Sequence, residues 1–271
     1  MAEESAPRYG QRSIGLVNWL GLYTLYMRET RRFMKVWAQT LAAPAVTTIL
    51  FMVIFNLALG GDARVVADMP YSTFLAPGLM VMAMIQNGFA NTSSSILIAK
   101  IQGNIVDTLM PPLSALELTI GYLAGGVTRG VAVGLCVGLV FWAMPGISVT
   151  IHHIWPVIYF SISASMMMAL MGALTGVWAQ KFDHAAAIQN FIIAPLSLLS
   201  GTFYSISRLD ESWQTFSHLN PFFYLIDGYR YGFIDRADSN LTTGVLYTLA
   251  INLVLVATVY WVFKRGYKLK A

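Results

Sequence analysis

The sequence predicts an all-α integral membrane protein with six transmembrane helices, an N-terminal interfacial helix and a broken, re-entrant helical hairpin between the fifth and sixth spans. Of its 271 residues, 56% are hydrophobic and only 11% are charged, whereas a soluble domain carries about 25% charged residues. The hairpin is predicted from residues 195–233, where two short amphipathic pieces flank Asn220-Pro221. Neither piece can span a bilayer, so protein or a wet cavity must surround both.

Net charge and cysteine content exclude several classes of protein. The formal charge is +4, but the basic residues flank apolar runs, so we expect no nucleic-acid partner. The single cysteine, Cys136, lies inside an apolar run and allows no disulfide framework. Residues 1–13 are polar and lack the apolar core of a cleaved signal peptide, so we expect the first span to remain in the mature protein.

Two units are predicted along the chain. Residues 1–35 are expected to form a cytoplasmic tail and an interfacial amphipathic helix, because an apolar stretch from Ile14 to Met27 leads into a basic run. The alternative, a first span from Ile14, is disfavoured because the apolar stretch ends too soon, at Arg28. Residues 36–271 are expected to form the membrane domain. Its predicted spans are 36–59, 73–99, 115–144, 154–179, 185–206 and 244–263, with a cytoplasmic helix at about 100–112 and an extracytoplasmic hairpin at about 207–233.

Small residues in the third and fourth spans predict close helix packing. Rows of glycine at four-residue spacing let a neighbouring helix approach closely. Ser114 and Glu117 are spaced as a capping box, so the third span is expected to begin at about Ala115. The glycine rows are Gly126, Gly130, Gly134 and Gly138, then Gly121 and Gly125, and in the fourth span Gly172 and Gly176.

Polar and charged residues at membrane depth mark further candidates. Asn87, Asn91 and the run Thr92–Ser95 make the later half of the second span polar. Such groups usually bond to a neighbouring helix, and a substrate contact is the alternative. Arg129 lies near mid-span, where a charge costs several kcal/mol unless it is paired or hydrated. It must therefore face protein or water, and a structural ion pair and a transport role both stay open.

Basic residues are distributed unevenly between the two sides of the predicted membrane domain. If six spans put both termini inside, the inner segments carry twelve Lys and Arg residues and the outer segments four, with Arg129 in the membrane. This asymmetry predicts cytoplasmic termini by the positive-inside rule. It places residues 100–112 in the cytoplasm and the hairpin near the outer face.

The chain lacks the common motifs for chemistry of its own. It contains no P-loop, H-E-x-x-H or G-x-S-x-G motif, and we expect no metal site, because adjacent His152 and His153 suit a solvated loop. No predicted span carries the paired carboxylates that an ion-coupled transporter normally needs. If the protein transports a substrate, the energy is expected to come from a partner, through the short cytoplasmic helix.

Three stretches of the chain carry a family resemblance. They are Tyr71–Leu79 (YSTFLAPGL), Lys100–Ser114 (KIQGNIVDTLMPPLS) and Leu199–Gly232, in which a small-Gly-aromatic segment, a spaced Trp, Asn-Pro and Arg-Tyr-Gly follow one another. In these stretches, and from Ile14 to the last span, the chain resembles membrane subunits of ABC-2 type transporters, most closely the YadH-like branch of bacterial permeases.

The resemblance implies half of a transporter and no enzyme. Two permease copies would pair in the bacterial inner membrane as multi-pass proteins, in contact with membrane lipids, and each would bind a cytoplasmic ATPase subunit. That partner would hold ATP and Mg, and this chain would carry no cofactor. The expected substrates are amphiphilic: drugs, lipids, or lipid-linked and lipo-oligosaccharides. The alternatives are an ion-coupled secondary transporter or channel, with Arg129 as its key residue, and a non-transporting membrane scaffold.

The resemblance also implies roles for individual residues. A coupling helix facing the ATPase would include Lys100, Gln102, Gly103, Asp107 and Leu109. A gate or exit path at the outer face would include Phe203, Tyr204, Trp213, Asn220, Pro221, Tyr229 and Arg230. The alternative for the aromatic members is that they anchor the hairpin at the membrane interface.

Overall fold

The computed structural model describes residues 15–58, 65–66, 69–147 and 149–268. The predicted polar tail, the start of the interfacial helix at Ile14, and residues 59–64, 67–68, 148 and 269–271 lie outside the described residues. Within the described ranges the chain is helical, apart from connecting loops and one pair of two-residue strands, β1 (Val65–Val66) and β2 (Met69–Pro70).

The helices follow one another in the order that the hydrophobic pattern predicts. The first is α1 (Trp19–Met34), and a π-helical turn (Ala38–Ala42) leads into α2 (Ala43–Ala58). Next come α3 (Tyr71–Ile101), α4 (Ile105–Leu109), α5 (Ala115–Ala143) and α6 (Ile154–Trp178). The second half contains α7 (Phe182–Ile188), a π turn (Gln189–Ile193), α8 (Ala194–Leu198), a 3₁₀ turn (Ile206–Arg208), α9 (Glu211–Leu219), α10 (Pro221–Ile234) and α11 (Leu241–Arg265).

Within the described residues, five helices are long and apolar enough to cross a membrane: Ala38–Ala58, α3, α5, α6 and α11. These five account for five of the six predicted spans and confirm an all-α membrane protein. The remaining predicted span covers residues 185–206, but the helix in this region ends at Leu198. Two side chains donate hydrogen bonds to the last carbonyl groups of this helix, which have no partner within it. Thr202 Oγ1 donates to Ser197 O at 2.7 Å, and Asn220 Nδ2 donates to Leu196 O at 3.0 Å. The chain then turns at Gly201, whose φ of +73° favours glycine.

The core is built around α3, which packs against both α5 and α6. The predicted glycine rows allow this approach. A methyl group on Gly126 of α5 would lie 2.5 Å from the Cβ of Ala169, and one on Gly176 of α6 would lie 3.0 Å from the Ser93 carbonyl oxygen. The prediction of close packing at small residues is therefore confirmed.

The beginnings of α1 and α5 are tied together. The capping box predicted for α5 is present, with Ser114 and Glu117 each bonded to the backbone of the other. The same Glu117 carboxylate accepts a hydrogen bond from the backbone N–H of Asn18, the residue that caps α1. From this point α1 packs along α5, with Leu25 against Gly121.

Candidate functional site

The predicted coupling segment is a short helix between two long ones. Ile105 is buried, so α4 is anchored to the rest of the domain. Gln102 and Asp107 are exposed, and Leu109 is half-buried. Gly103 has a φ of +76°, and a Cβ there would meet nothing within 4 Å. The segment therefore offers a fixed, solvent-facing surface between the ends of α3 and α5.

Lys100 takes a different position from the other predicted coupling residues. Its ammonium group is half-buried and donates to the carbonyl oxygens of Val177, Ala179 (2.8 Å) and Gly176 (3.3 Å). These carbonyls belong to the end of α6, where no further helical turn can satisfy them. Lys100 thus fastens the end of α3 to the end of α6, and its charged group points at α6.

A buried charged cluster forms where α1 meets α3, and sequence reasoning did not predict it. Glu29 is fully buried. Its carboxylate accepts hydrogen bonds from Ser95 Oγ at 2.7 Å, from Arg28 at 3.2 Å and from Arg32 at 3.3 Å. The Cβ of Glu29 lies against Gly125 of α5, where a side chain would fill the space. The sequence shows only a single carboxylate inside a basic run; the structure alone shows that it faces a small-residue row of α5.

The two arginines extend this cluster to the neighbouring helices. Arg28 donates to Thr108 Oγ1 of α4 at 2.7 Å and to the Tyr122 hydroxyl of α5 at 3.2 Å. Arg32 donates to the Asn91 carbonyl oxygen of α3 at 2.6 Å. The cluster therefore connects α1 to α3, α4 and α5.

The Ser95 hydroxyl donates to Glu29 of α1, and the Thr92 hydroxyl donates to the Ala169 carbonyl oxygen of α6 at 2.6 Å. These two contacts confirm that polar side chains in the later half of α3 bond to neighbouring helices.

Among the described residues, Arg129 forms a hydrogen bond with an amide side chain and no ion pair with a carboxylate. Its guanidinium is half-buried and donates to Asn87 Oδ1 of α3 at 3.0 Å. Asn87 also lines a cavity of about 220 Å³ between the start of α2 and α3. Gln39, Thr47 and Gln86 add further polar groups to that cavity, opposite Phe51 and Leu79. Arg129 is thus hydrogen-bonded to a residue that lines a partly polar cavity at membrane depth.

The Asn220-Pro221 break predicted within the hairpin is confirmed. Asn220 caps α10 by accepting from Phe222 N at 3.1 Å, and Pro221 is the first residue of that helix. The Asn220 amide also donates to Ser200 Oγ at 2.8 Å. On one side of the break α10 is almost wholly buried, whereas α9 is mostly exposed, with 54% of Trp213 accessible.

Arg230 is buried in α10 and holds the irregular segment that follows α8. It donates to the Gly201 carbonyl oxygen at 2.6 Å, and its guanidinium lies 3.9 Å from the centre of the Phe74 ring of α3. Asp227, one turn earlier, accepts instead from the backbone N–H groups of Asp238 (2.8 Å) and Ser239 (2.9 Å). Within the described structure these two residues form no ion pair with each other, although their spacing allows one.

The predicted gate aromatics pack in separate places. The Phe203 ring lies 4.2 Å from the Phe55 ring of α2. Tyr204 is half-buried and donates to the Leu199 carbonyl oxygen at 3.1 Å. Tyr229 is buried against Phe233, with ring centres 5.0 Å apart. Among the described residues, the rings of Phe203, Tyr204, Trp213 and Tyr229 do not stack on one another.

The loop that holds the two adjacent histidines forms an exposed hydrogen bond with the residue that ends α10. His153 Nε2 lies 2.7 Å from Asp235 Oδ1, and its ring stacks on Tyr231 at 5.1 Å. The hydrogen bond from His153 lowers the pKa of Asp235 below its ordinary value of 3.8. The pair therefore joins the loop before α6 to the end of α10.

Comparison with known proteins gives consistent matches over most of the chain. The family model described as ABC-2 type transporter matches residues 21–234. The chain is 35% identical over 256 residues to the "Inner membrane transport permease YadH" of Escherichia coli (strain K12), covering 93% of this chain and 98% of that protein. It is 22% identical to "Nodulation protein J" of Neorhizobium galegae, over 79% of this chain and 80% of that protein.

Proposed function

The chain belongs to the ABC-2 type transporter family, and we propose that it is the permease subunit of an ATP-driven exporter. Two copies would pair, and each would bind one cytoplasmic ATPase subunit that supplies ATP and Mg. The chain itself has no P-loop. The family match over residues 21–234, together with a fixed and exposed α4, carries the proposal.

The surface of α4 suits a protein partner. Val106 is 50% exposed and Met110 is 76% exposed, and Asp107 lies between them. Exposed apolar side chains beside a charge are typical of an interaction surface. Because α4 joins the ends of α3 and α5, force applied there would act on two long helices at once.

In this proposal the chain crosses the membrane six times, with both termini in the cytoplasm. The segment from α7 through residue 206 would form the fifth crossing, although its helix ends at Leu198. The charge asymmetry supports this orientation. It puts α4 in the cytoplasm and makes α9 and α10 the two arms of a re-entrant hairpin at the outer face. Arg230 supports such a hairpin, because it satisfies a carbonyl group that the irregular backbone leaves open.

The proposed substrate is an amphiphile, such as a drug, a lipid or a lipid-linked oligosaccharide. The cavity between α2 and α3 supports this class because its lining combines amide and hydroxyl groups with aromatic and aliphatic side chains. Among the gate candidates, Phe203 extends from the hairpin side to α2, whose outward residues Leu50 and Ile54 are exposed. A second copy on this face would complete a pathway.

Co-purification tests the proposal directly. The tagged full chain, extracted from its native membranes, is expected to retain an ABC ATPase and to stimulate ATP hydrolysis when reconstituted. Asp107→Arg should remove the ATPase, because it reverses the charge of the exposed α4 surface. Glu211→Arg is the matched control, since Glu211 is an exposed acid at the start of α9. A chain that transports an amphiphile without any nucleotide-hydrolysing partner would contradict the proposal.

A further inference from the structure

A large basic cavity opens between α1, the end of α3 and α4. Its volume is about 910 Å³. Basic side chains outnumber acidic ones in its lining by four to two, so the cavity carries a net positive charge. The basic residues are Arg28, Arg31, Arg32 and Lys35, and the acidic residues are Glu29 and Asp107.

Two of these arginines are held in place before any ligand arrives. Glu29 is fully buried and binds both Arg28 and Arg32, yet 44% and 30% of the two arginine side chains remain exposed. Each guanidinium thus keeps an accessible face while its position is fixed. The Nε of Arg32 is buried and has no hydrogen-bond partner. Guanidinium groups fixed in this way match the geometry of phosphate oxygens and lose little freedom on binding.

The other two cations are free to bind. Arg31 and Lys35 are one helical turn apart and exposed. In the described part of the chain, neither side chain forms an ion pair or a hydrogen bond. Their charges are therefore not neutralised by the protein, and a small anion in the cavity would meet both as well as the fixed arginines.

Apolar side chains complete the lining. Tyr23, Met27 and Ile98 face the same cavity. The helix α1 supplies three of the four cations and is followed directly by Lys35, and on it Trp19 is 72% exposed and Leu20 is 61% exposed. A helix that combines outward Trp and Leu with cations suits the boundary between a bilayer and water. A ligand with a phosphate at one end and hydrocarbon at the other would satisfy both parts of the lining.

We propose that this cavity binds the phosphate headgroup of an anionic membrane amphiphile, with Arg31 and Lys35 as its mobile cations and Arg28 and Arg32 as its fixed ones. A lipid is favoured over a protein partner because three of the four cations lie on the helix with outward Trp19 and the fourth, Lys35, directly follows it. The inference concerns binding alone, and it holds whether or not the chain exports a substrate.

The test is a binding titration on the purified full chain in neutral detergent. The amount of bound probe is measured by native mass spectrometry. The probes are phosphatidylglycerol, phosphatidylcholine and inorganic phosphate. The Arg31→Gln/Lys35→Gln variant removes both mobile cations without touching the buried cluster. The matched control is Lys264→Gln/Arg265→Gln, which removes two exposed cations from the end of α11.

We expect wild type to prefer phosphatidylglycerol over phosphatidylcholine. The cavity variant should bind it about 30-fold more weakly, and the control less than twofold. If inorganic phosphate displaces phosphatidylglycerol, the site recognises the free anion as well as the lipid headgroup. If it does not, binding requires the hydrocarbon part of the lipid as well as the phosphate. An equal loss in both variants would overturn the proposal, since attraction would then come from overall charge. Unchanged lipid binding with loss of a co-purifying ATPase would also overturn it and assign the cavity to that protein.

Discussion

Neutralising Glu29 is the most direct test of the buried charged cluster. Glu29→Gln keeps the size of the side chain and removes its charge. In the native protein one fully buried carboxylate accepts from Ser95, Arg28 and Arg32 at 2.7, 3.2 and 3.3 Å. The variant leaves two guanidinium groups beside a neutral amide, whose own NH₂ group must face one of them.

The expected loss of stability follows from the exposure of the partners. Removing one member of a fully buried ion pair costs about 3–5 kcal/mol. Here the Arg28 and Arg32 side chains stay 44% and 30% exposed, so water stabilises part of the freed charge. We therefore expect a loss of about 2 kcal/mol in the free energy of unfolding. For a chain of this size that lowers the Tm by about 5 °C.

The assay is thermal unfolding of the purified full chain in one detergent at one scan rate. Glu211→Gln, an exposed acid on α9, is the control and should leave the Tm unchanged. A double-mutant cycle of Glu29→Gln with Arg32→Gln should show coupling, with the double variant losing less than the sum of the single variants. A Tm for Glu29→Gln within 1 °C of wild type, or strict additivity, would refute the reasoning.

Three further outcomes are expected. If the chain couples to an ATPase as proposed, Gly103→Val should reduce the partner's ATP hydrolysis, because a β-branched residue is strained by about 1–2 kcal/mol at φ +76°. Gly103→Asn should retain that hydrolysis, because asparagine tolerates a positive φ. Arg230→Met should lower the Tm more than Arg230→Lys, because it leaves the Gly201 carbonyl unbonded, at a cost of about 1–3 kcal/mol; equal losses would contradict this. The pKa of Asp235 is lowered in the folded state, so its hydrogen bond with His153 should stabilise the protein above pH 3.8 and cease to do so as the pH falls through the lowered value. A Tm difference between wild type and Asp235→Asn that persists in stronger acid would contradict this.

The hydrophobic pattern predicted the long helices, because length and composition decide them locally. The same holds for the Asn220-Pro221 break and for the capping box at Ser114. Burial of Glu29 could not be predicted in this way, because a lone carboxylate in a basic amphipathic helix has the pattern of a solvated residue. Its burial depends on the small-residue row of α5 facing it. The contact of Lys100 with the end of α6 could not be predicted from local pattern either, because it joins residues 76 or more positions apart.

The helix α3 connects the two regions to which the family resemblance assigns function. Its C-terminal end leads into α4, and its N-terminal turns contact the segment after α8, through Phe74 under Arg230 and through the Tyr71 hydroxyl, which donates to the Phe203 carbonyl oxygen at 2.9 Å. The 31 residues of α3 form one helix, about 46 Å long at 1.5 Å per residue. Pro77 lies inside α3, between its C-terminal end and the contacts at Tyr71 and Phe74. A displacement at α4 would therefore be carried by one continuous helix as far as Pro77, where the lost helical hydrogen bond allows the helix to bend before the Phe203 segment is reached.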